Sequence, residues 1–211
     1  MSEQISTIKG LIENRKADVM GHDEYSKSAV MLPLVMIENK TYILFEVRSK
    51  NLSKQPGEVC FPGGKIDKSD VSEEQAAVRE LCEELGLTKE DVQTIAPLDY
   101  LVTPFRGIIY PFVGELKRID TIQPNPTEVE TVFYVPLDYF LENEPDCFHM
   151  EHHIRPQEDF PFHLIKNRST YKERTGLMPQ YFYQYKDHVI WGLTARIVYH
   201  FVDLIKNPTT S

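Results

Sequence analysis

Cysteine is scarce in this chain. Cys60, Cys82 and Cys147 form an odd, widely spaced set without a C-x-x-C pair. That spacing excludes a disulfide framework and a zinc knuckle, and it sets the expectation of a reducing, cytoplasmic environment. Long apolar runs are missing too. No stretch of about 20 apolar residues occurs, and the first residues lack the apolar core of a secretory signal, so neither membrane spanning nor secretion is expected. Positive charge is short as well, with 23 Lys and Arg against 32 Asp and Glu and a net charge of −9. Nucleic acid and anionic membrane both reward basic surfaces, so neither is expected as a partner. There is no internal repeat and no low-complexity segment. The 211 residues suffice for one well-cored domain, taken as 1–211 with residues 1–22 as an N-terminal extension.

What the sequence does have is concentrated between Phe61 and Leu87, FPGGKIDKSDVSEEQAAVRELCEELGL. Pro62-Gly63-Gly64 cannot sit inside a regular helix and lets another group approach the backbone closely, so the stretch starts as a loop. From Val71 to Leu85 good helix formers dominate. Ser72 is placed to cap, Glu73 and Glu74 occupy the first turn, and Gly86 stands just past the last. Ala77, Val78, Leu81 and Leu85 recur at helical spacing and are expected in the core. Glu80, Glu83 and Glu84 stand at i, i+3 and i+4, so their carboxylates are expected to converge beside the glycine loop. Like charges so placed repel unless a cation lies between them. Magnesium, which takes hard oxygen ligands and bridges carboxylates to phosphates, would meet that need. Taken alone, E-x-x-E-E equally describes the solvated side of an amphipathic helix.

With Arg79 directly before Glu80 and a double glycine upstream, the stretch resembles the Nudix box, Gly-x5-Glu-x7-Arg-Glu-U-x-Glu-Glu-x-Gly-U, where U is aliphatic. Residues 79–87 fit its second half at every specified position. The first half departs. Counting from Gly64, the acid is Asp70 rather than Glu, and eight residues rather than seven separate it from Arg79. In the family this acid helps hold the arginine, and Asp67 is a second candidate here. Residues 44–64, LFEVRSKNLSKQPGEVCFPGG, resemble the extension that marks the coenzyme A pyrophosphatase branch, Leu-Leu-Thr-x-Arg-(Ser/Ala)-x3-Arg-x3-Gly-x3-Phe-Pro-Gly-Gly. Leu44, Arg48, Ser49, Gly57, Phe61, Pro62, Gly63 and Gly64 match with the spacing intact; Phe45, Glu46 and Ser53 do not. Ser53 replaces an arginine, and neighbouring Lys54 supplies only a point charge. Ile190-Trp191-Gly192-Leu193-Thr194-Ala195-Arg196 also looks like the closing strand-to-helix passage of this branch.

The resemblance implies an α/β class, a Nudix-type α/β/α sandwich with a central mixed β-sheet, with the box at 64–87 as loop-helix-loop. It implies hydrolysis of a nucleoside diphosphate derivative, in this branch coenzyme A or a derivative split into 3′,5′-ADP and 4′-phosphopantetheine. Glu80, Glu83, Glu84 and the backbone carbonyl of Gly64 would hold Mg²⁺ or Mn²⁺, and Arg79 would brace the catalytic loop. Arg48, Ser49 and Phe61 are the candidates for binding substrate, and Glu128 or Glu130, at strand spacing, for the base that activates water. For Arg48 the plainer reading is a strand-end arginine paired with Glu58 or Asp67. Two alternatives stand beside this one. The first is the same machinery acting on ADP-ribose, a dinucleotide polyphosphate or an oxidised nucleotide. The second is a non-catalytic Nudix domain that senses a nucleotide. The partner expected is a small-molecule nucleotide of the coenzyme A class, with homodimerisation left open.

Elsewhere the patterns are conventional. Ile5, Ile8, Ile12 and Val19 suggest an amphipathic helix over residues 5–20 interrupted by Gly10. Residues 29–47 read as two strands joined near Glu38-Asn39-Lys40, the first buried on both faces and central in the sheet. Further strands are expected at Val92 to Val102, Gly107 to Leu116 and Glu128 to Leu137, followed by a short helix from about Asp138 to Glu142. Arg106, in the loop between two of them, is a candidate for meeting an anionic substrate. His149, His152, His153 and His163 invite a zinc reading, but no cysteine pair or His-Glu-x-x-His helix frames them, and an aromatic-rich strand or insertion is the expectation. Tyr181 to Tyr185 and Val189 to Gly192 flank a turn, and a helix runs from Leu193 to about Lys206 with Ile197, Val198, Phe201, Leu204 and Ile205 on its apolar stripe.

Overall fold

Strand β1 (Ser26–Ile37) carries the architecture, because its alternate residues face two different cores. Ala29, Met31 and Val35 point to one side, Leu32 to the other, and all four are at most 1 % exposed. This is the doubly buried strand expected from its nearly continuous apolar run. The computed structural model describes residues 3–103, 107–166 and 174–208. Arg106 lies outside the described residues.

A two-residue turn returns β1 into β2 (Lys40–Arg48), with Leu34 opposite Ile43 and Ile37 opposite Lys40. Both turn residues have positive φ, Glu38 at 48° and Asn39 at 61°. That is the hairpin turn whose twist matches the flanking strands. The short strands β3 (Val59–Cys60) and β4 (Gly63–Lys65) follow, then α2 (Glu73–Leu85). Next come β5 (Val92–Pro97), β6 (Leu101–Thr103), β7 (Gly107–Leu116) and β8 (Val129–Pro136). The main sheet runs β3-β2-β1-β7-β5, with β4 on β1, β6 on β7 and β8 on β2. Only β1 and β7 are parallel among these described pairs, so the sheet is mixed.

Helices cover both faces. The apolar side of α2 (Ala76, Ala77, Leu81, Leu85) packs with Ala29, Met31, Val35, Leu44 and Phe112. Each fully buried leucine contributes roughly 1.5–3 kcal/mol. On the other face α3 (Leu137–Glu142) and α4 (Gly192–Lys206) bring Phe140, Ile197, Val198 and Phe201 against Leu32, Ile43, Phe45 and Val135. Phe45 stacks on Phe61 at 5.0 Å and on Phe133 at 5.5 Å, and Phe133 in turn stacks on His188 at 3.8 Å.

Two expectations are corrected, and the strand expected in the histidine-rich segment is present. Helix α1 covers only Glu3–Ile12, Gly10 lies within it instead of breaking it, and none of its residues is buried. A glycine costs only about 1 kcal/mol in a helix, too little to stop this one, and Val19 falls beyond its end. The single strand expected over 92–102 is two, β5 ending at Pro97 and β6 starting at Leu101, both against β7, with the Leu98 N–H still donating to the Pro111 carbonyl at 2.8 Å between them. The histidine-rich segment joins a second, separate sheet, β11-β10-β9, formed by β9 (Asp146–Ile154), β10 (Arg174–Tyr185) and β11 (His188–Trp191). His149, His152 and His153 lie on β9, and His163 lies in a 3₁₀ turn further along. His153 meets Glu151 at 3.1 Å.

Candidate active site

Helix α2 begins where its sequence dictates. The Ser72 hydroxyl accepts the Gln75 N–H at 3.1 Å, and Gly86 takes a left-handed conformation (φ 67°) just past the last turn. The loop before it is fixed by the central strand, since β4 pairs with β1 so that Gly63 lies opposite Val30 and Gly64 opposite Ala29. The two glycines are needed for space. A Cβ on Gly63 would collide with the carbonyl of Ala29 and the backbone of Val30, and one on Gly64 would collide with the carboxylate of Glu80. Gly63 also holds a positive φ of 154°.

Two box glutamates are aimed at this loop. Glu84, 3 % exposed, accepts the Gly63 N–H at 2.8 Å, and Glu80 lies over Gly64. Glu83 does not join them. Its side chain is 60 % exposed and turns to Arg79 at 3.5 Å, so the expected convergence of three carboxylates is one of two. The cause is Arg79, which draws Glu80 to its Nη1 at 2.9 Å and grips Asp70 through Nε at 3.0 Å and Nη2 at 2.9 Å. Asp67 is more distant, at 3.9 Å. Asp70 therefore partners Arg79 despite the extra residue between them. The hydrogen bonds from Arg79 hold the Asp70 carboxyl below the usual carboxylate range, and those from Asp70 push the guanidinium further up.

Glu46 is a site feature that pattern matching passes over. Alternation along β2 puts it on the α2 side with Leu44, completely buried beneath Glu84 and Cys60. Its Oε1 accepts the Cys60 thiol at 3.1 Å, and its Oε2 has no hydrogen-bond partner. Burial and then the charge of Glu46 push Glu84 well above the ordinary carboxylate range, and burial pushes Glu46 up as well. The only signal in the sequence is the mismatch itself, a glutamate where the branch pattern has threonine.

The remaining candidates separate. Glu128, just before β8, adds negative charge around Glu46, Glu80 and Glu84, whereas Glu130 meets Lys50 at 3.7 Å. The strand-spacing expectation that both share a side fails because β8 begins only at Val129. Arg48 is not paired with Glu58 or Asp67 through its side chain. Its Nε donates to the Lys54 carbonyl at 3.5 Å, and its backbone N–H donates to that of Glu58 at 2.9 Å. Ser49 is 1 % exposed and its hydroxyl accepts the Asn51 N–H at 3.4 Å, so it braces the loop from within. Phe61 is 3 % exposed, yet with Arg48 and Gly63 it lines a cavity of about 530 Å³ that extends along β6 to Trp191 and the first turns of α4.

The donor set suits a hard divalent cation. Glu80, Glu84, Glu46 and Glu128 bring carboxyl groups together at a backbone turn, and burial favours the protonated forms of Glu46 and Glu84 unless a cation offsets the charge of the ionised ones. Among the described residues no three His, Cys, Asp or Glu groups already stand together tightly enough to hold one. Arg79 accounts for this, since it engages both Glu80 and Glu83.

A family model described as NUDIX domain matches residues 27–154. The chain is 36% identical over 187 residues to the peroxisomal coenzyme A diphosphatase NUDT7 of Mus musculus, covering 87% of this chain and 73% of that protein. It is 32% identical over 191 residues to an uncharacterized Nudix hydrolase, NudL, of Photorhabdus laumondii subsp. laumondii, covering 87% of each. A solved MutT/nudix family protein from Enterococcus faecalis shares the fold at 10% identity, with a TM-score of 0.52 over 97% of this chain and 70% of that one.

Proposed function

This chain belongs to the Nudix family and is a pyrophosphatase of that family; from that premise we propose that it cleaves the pyrophosphate of coenzyme A or its derivatives, releasing 3′,5′-ADP and 4′-phosphopantetheine. The observation that carries the proposal is the pair Glu80 and Glu84 closed over Gly63 and Gly64, beside a cavity long enough to take an extended ligand. The branch-specific Arg48 and Phe61 line that cavity, Gly57 donates its N–H to the Arg48 carbonyl at 3.0 Å, and the similarity to a coenzyme A diphosphatase supports the same substrate class.

Glu80 and Glu84, with Glu83 once it releases Arg79, are the side chains to hold Mg²⁺ or Mn²⁺, and the Gly64 carbonyl is the backbone ligand. A divalent ion held there neutralises charge on the diphosphate and lowers the pKa of bound water. Arg79, fixed by Asp70, keeps the loop and the helix in register. It acts through Glu80 and so positions the site without touching substrate. Glu128 is the better placed of the two candidate bases, because its charge already bears on the carboxylate cluster while Glu130 is engaged by Lys50. Phe61 and Arg48 present an apolar wall and a cation to the ligand.

Incubation with Mg²⁺ and coenzyme A, acetyl-coenzyme A, ADP-ribose or diadenosine polyphosphates, followed by chromatography of the products, tests the substrate. 3′,5′-ADP from the first two is expected. Intact coenzyme A alongside cleaved ADP-ribose would discard the coenzyme A reading.

A further inference from the structure

The large cavity and a second one of about 320 Å³ share walls at Leu101, Arg196 and Ile197. Arg196 is the cation at this junction, one turn into α4. The carboxylates beside it are otherwise engaged. Asp99 meets His200 at 3.4 Å, and Asp203 accepts the Asn207 side-chain amide at 2.9 Å. Among the described residues no carboxylate lies within ion-pairing distance of Arg196, and its charge bears on the Tyr181 hydroxyl. The other guanidinium of the large cavity, Arg48, bears on Glu46 near the glycine loop. A guanidinium without an ion-pair partner at this junction is a poised donor for a planar or tetrahedral oxyanion, because arginine binds phosphate with two parallel hydrogen bonds.

We infer that Arg196 binds a phosphomonoester carried on the ribose of the substrate, the 3′-phosphate, and so selects coenzyme A over nucleoside diphosphate derivatives that lack it. This rests on the function proposed above. With the diphosphate at the Glu80 and Glu84 end, a second anionic group on the ligand meets a second cation further along the same cavity.

Turnover of coenzyme A and of 3′-dephospho-coenzyme A by the wild-type protein, Arg196→Ala and Arg196→Lys tests it, together with calorimetric binding of adenosine 3′,5′-bisphosphate and of 5′-AMP. The wild-type kcat/KM ratio of the two coenzyme A compounds is expected at about 10- to 100-fold, the worth of one charge-assisted contact. Arg196→Ala should collapse that ratio toward unity through KM, and Arg196→Lys should keep part of it. The bisphosphate should likewise bind more tightly than 5′-AMP in the wild type and lose that advantage in Arg196→Ala. A ratio unaltered in a folded Arg196→Ala, or equal binding of the two adenosine phosphates by the wild type, overturns the inference. A wild type that cleaves neither coenzyme A compound while still preferring the bisphosphate sinks the substrate reading and leaves Arg196 as a phosphate site.

Discussion

At the scale of single residues, Glu84 has two roles that pull in opposite directions. Its carboxylate holds the Gly63 N–H and belongs to the proposed metal site, yet its burial beside Glu46 disfavours charge. Glu84→Gln keeps an acceptor for Gly63 and removes the repulsion. Its turnover should fall by about 100-fold or more, while the metal-free protein melts no lower than wild type, which kinetics and calorimetry would show side by side. Retention of most activity would place the metal elsewhere. Arg79→Ala acts less directly. Losing a group that only orients ligands should cost about 10- to 100-fold in kcat/KM, with weaker Mn²⁺ binding read by titration. Mn²⁺ affinity unchanged alongside full activity would contradict a positioning role. Both residues were legible in the sequence because the box fixes their spacing. Glu46 was not, since a glutamate in a strand carries no periodic signal, and only the fold shows which side of β2 it faces.

At the scale of elements, α2 was readable to within a residue or two because cap, apolar stripe and terminal glycine all agree. Its cap is testable. Ser72→Ala should destabilise the protein by about 1 kcal/mol, or roughly 2–4 °C in Tm for a chain of this size, and an unchanged melting temperature would mean that neighbouring contacts hold the helix start. The hairpin β1–β2 was equally legible from Glu38 and Asn39. Less so was the second sheet. Its strands β9 and β10 pair across a long separation, and their exposed apolar residues, Phe148, Met150 and Leu177 among them, lack the in-out alternation that marks a half-buried strand. The separation of Glu80 and Glu84 from Glu83 was also hidden. Helical spacing places the three together, but Arg79 decides which of them faces the loop.

At the scale of the whole molecule, the shifted carboxyls give stability a maximum in mildly acid solution. Asp70 and Asp91 have lowered pKa values, Asp70 through Arg79 and Asp91 through its bonds from Thr88, so they stabilise the fold above the ordinary carboxylate range and that contribution is lost as pH falls through their folded values. Glu84 and Glu46 shift the other way. Their folded forms hold protons that the unfolded chain has already released, so stability declines as pH rises from about 4.5 toward and beyond neutrality. The metal-free melting temperature should therefore peak near pH 4–5, with Mn²⁺ raising it most at pH 8, because an ion that binds only the folded protein stabilises it by mass action. A metal-free profile that climbs from pH 5 to 8 would contradict the burial of these two acids. The pairing of β4 with β1 has a last consequence, for motion. The turn that meets the ligand is tied to the central strand of the main sheet, so it opens only when that pairing does. The backbone protons of Ile66, given to the Lys27 carbonyl at 3.0 Å, and of Met31, given to the Pro62 carbonyl at 2.9 Å, should then exchange with deuterium together and slowly, and the enzyme would receive its substrate on a floor that does not yield, leaving Arg79 and Glu83 to make the adjustments.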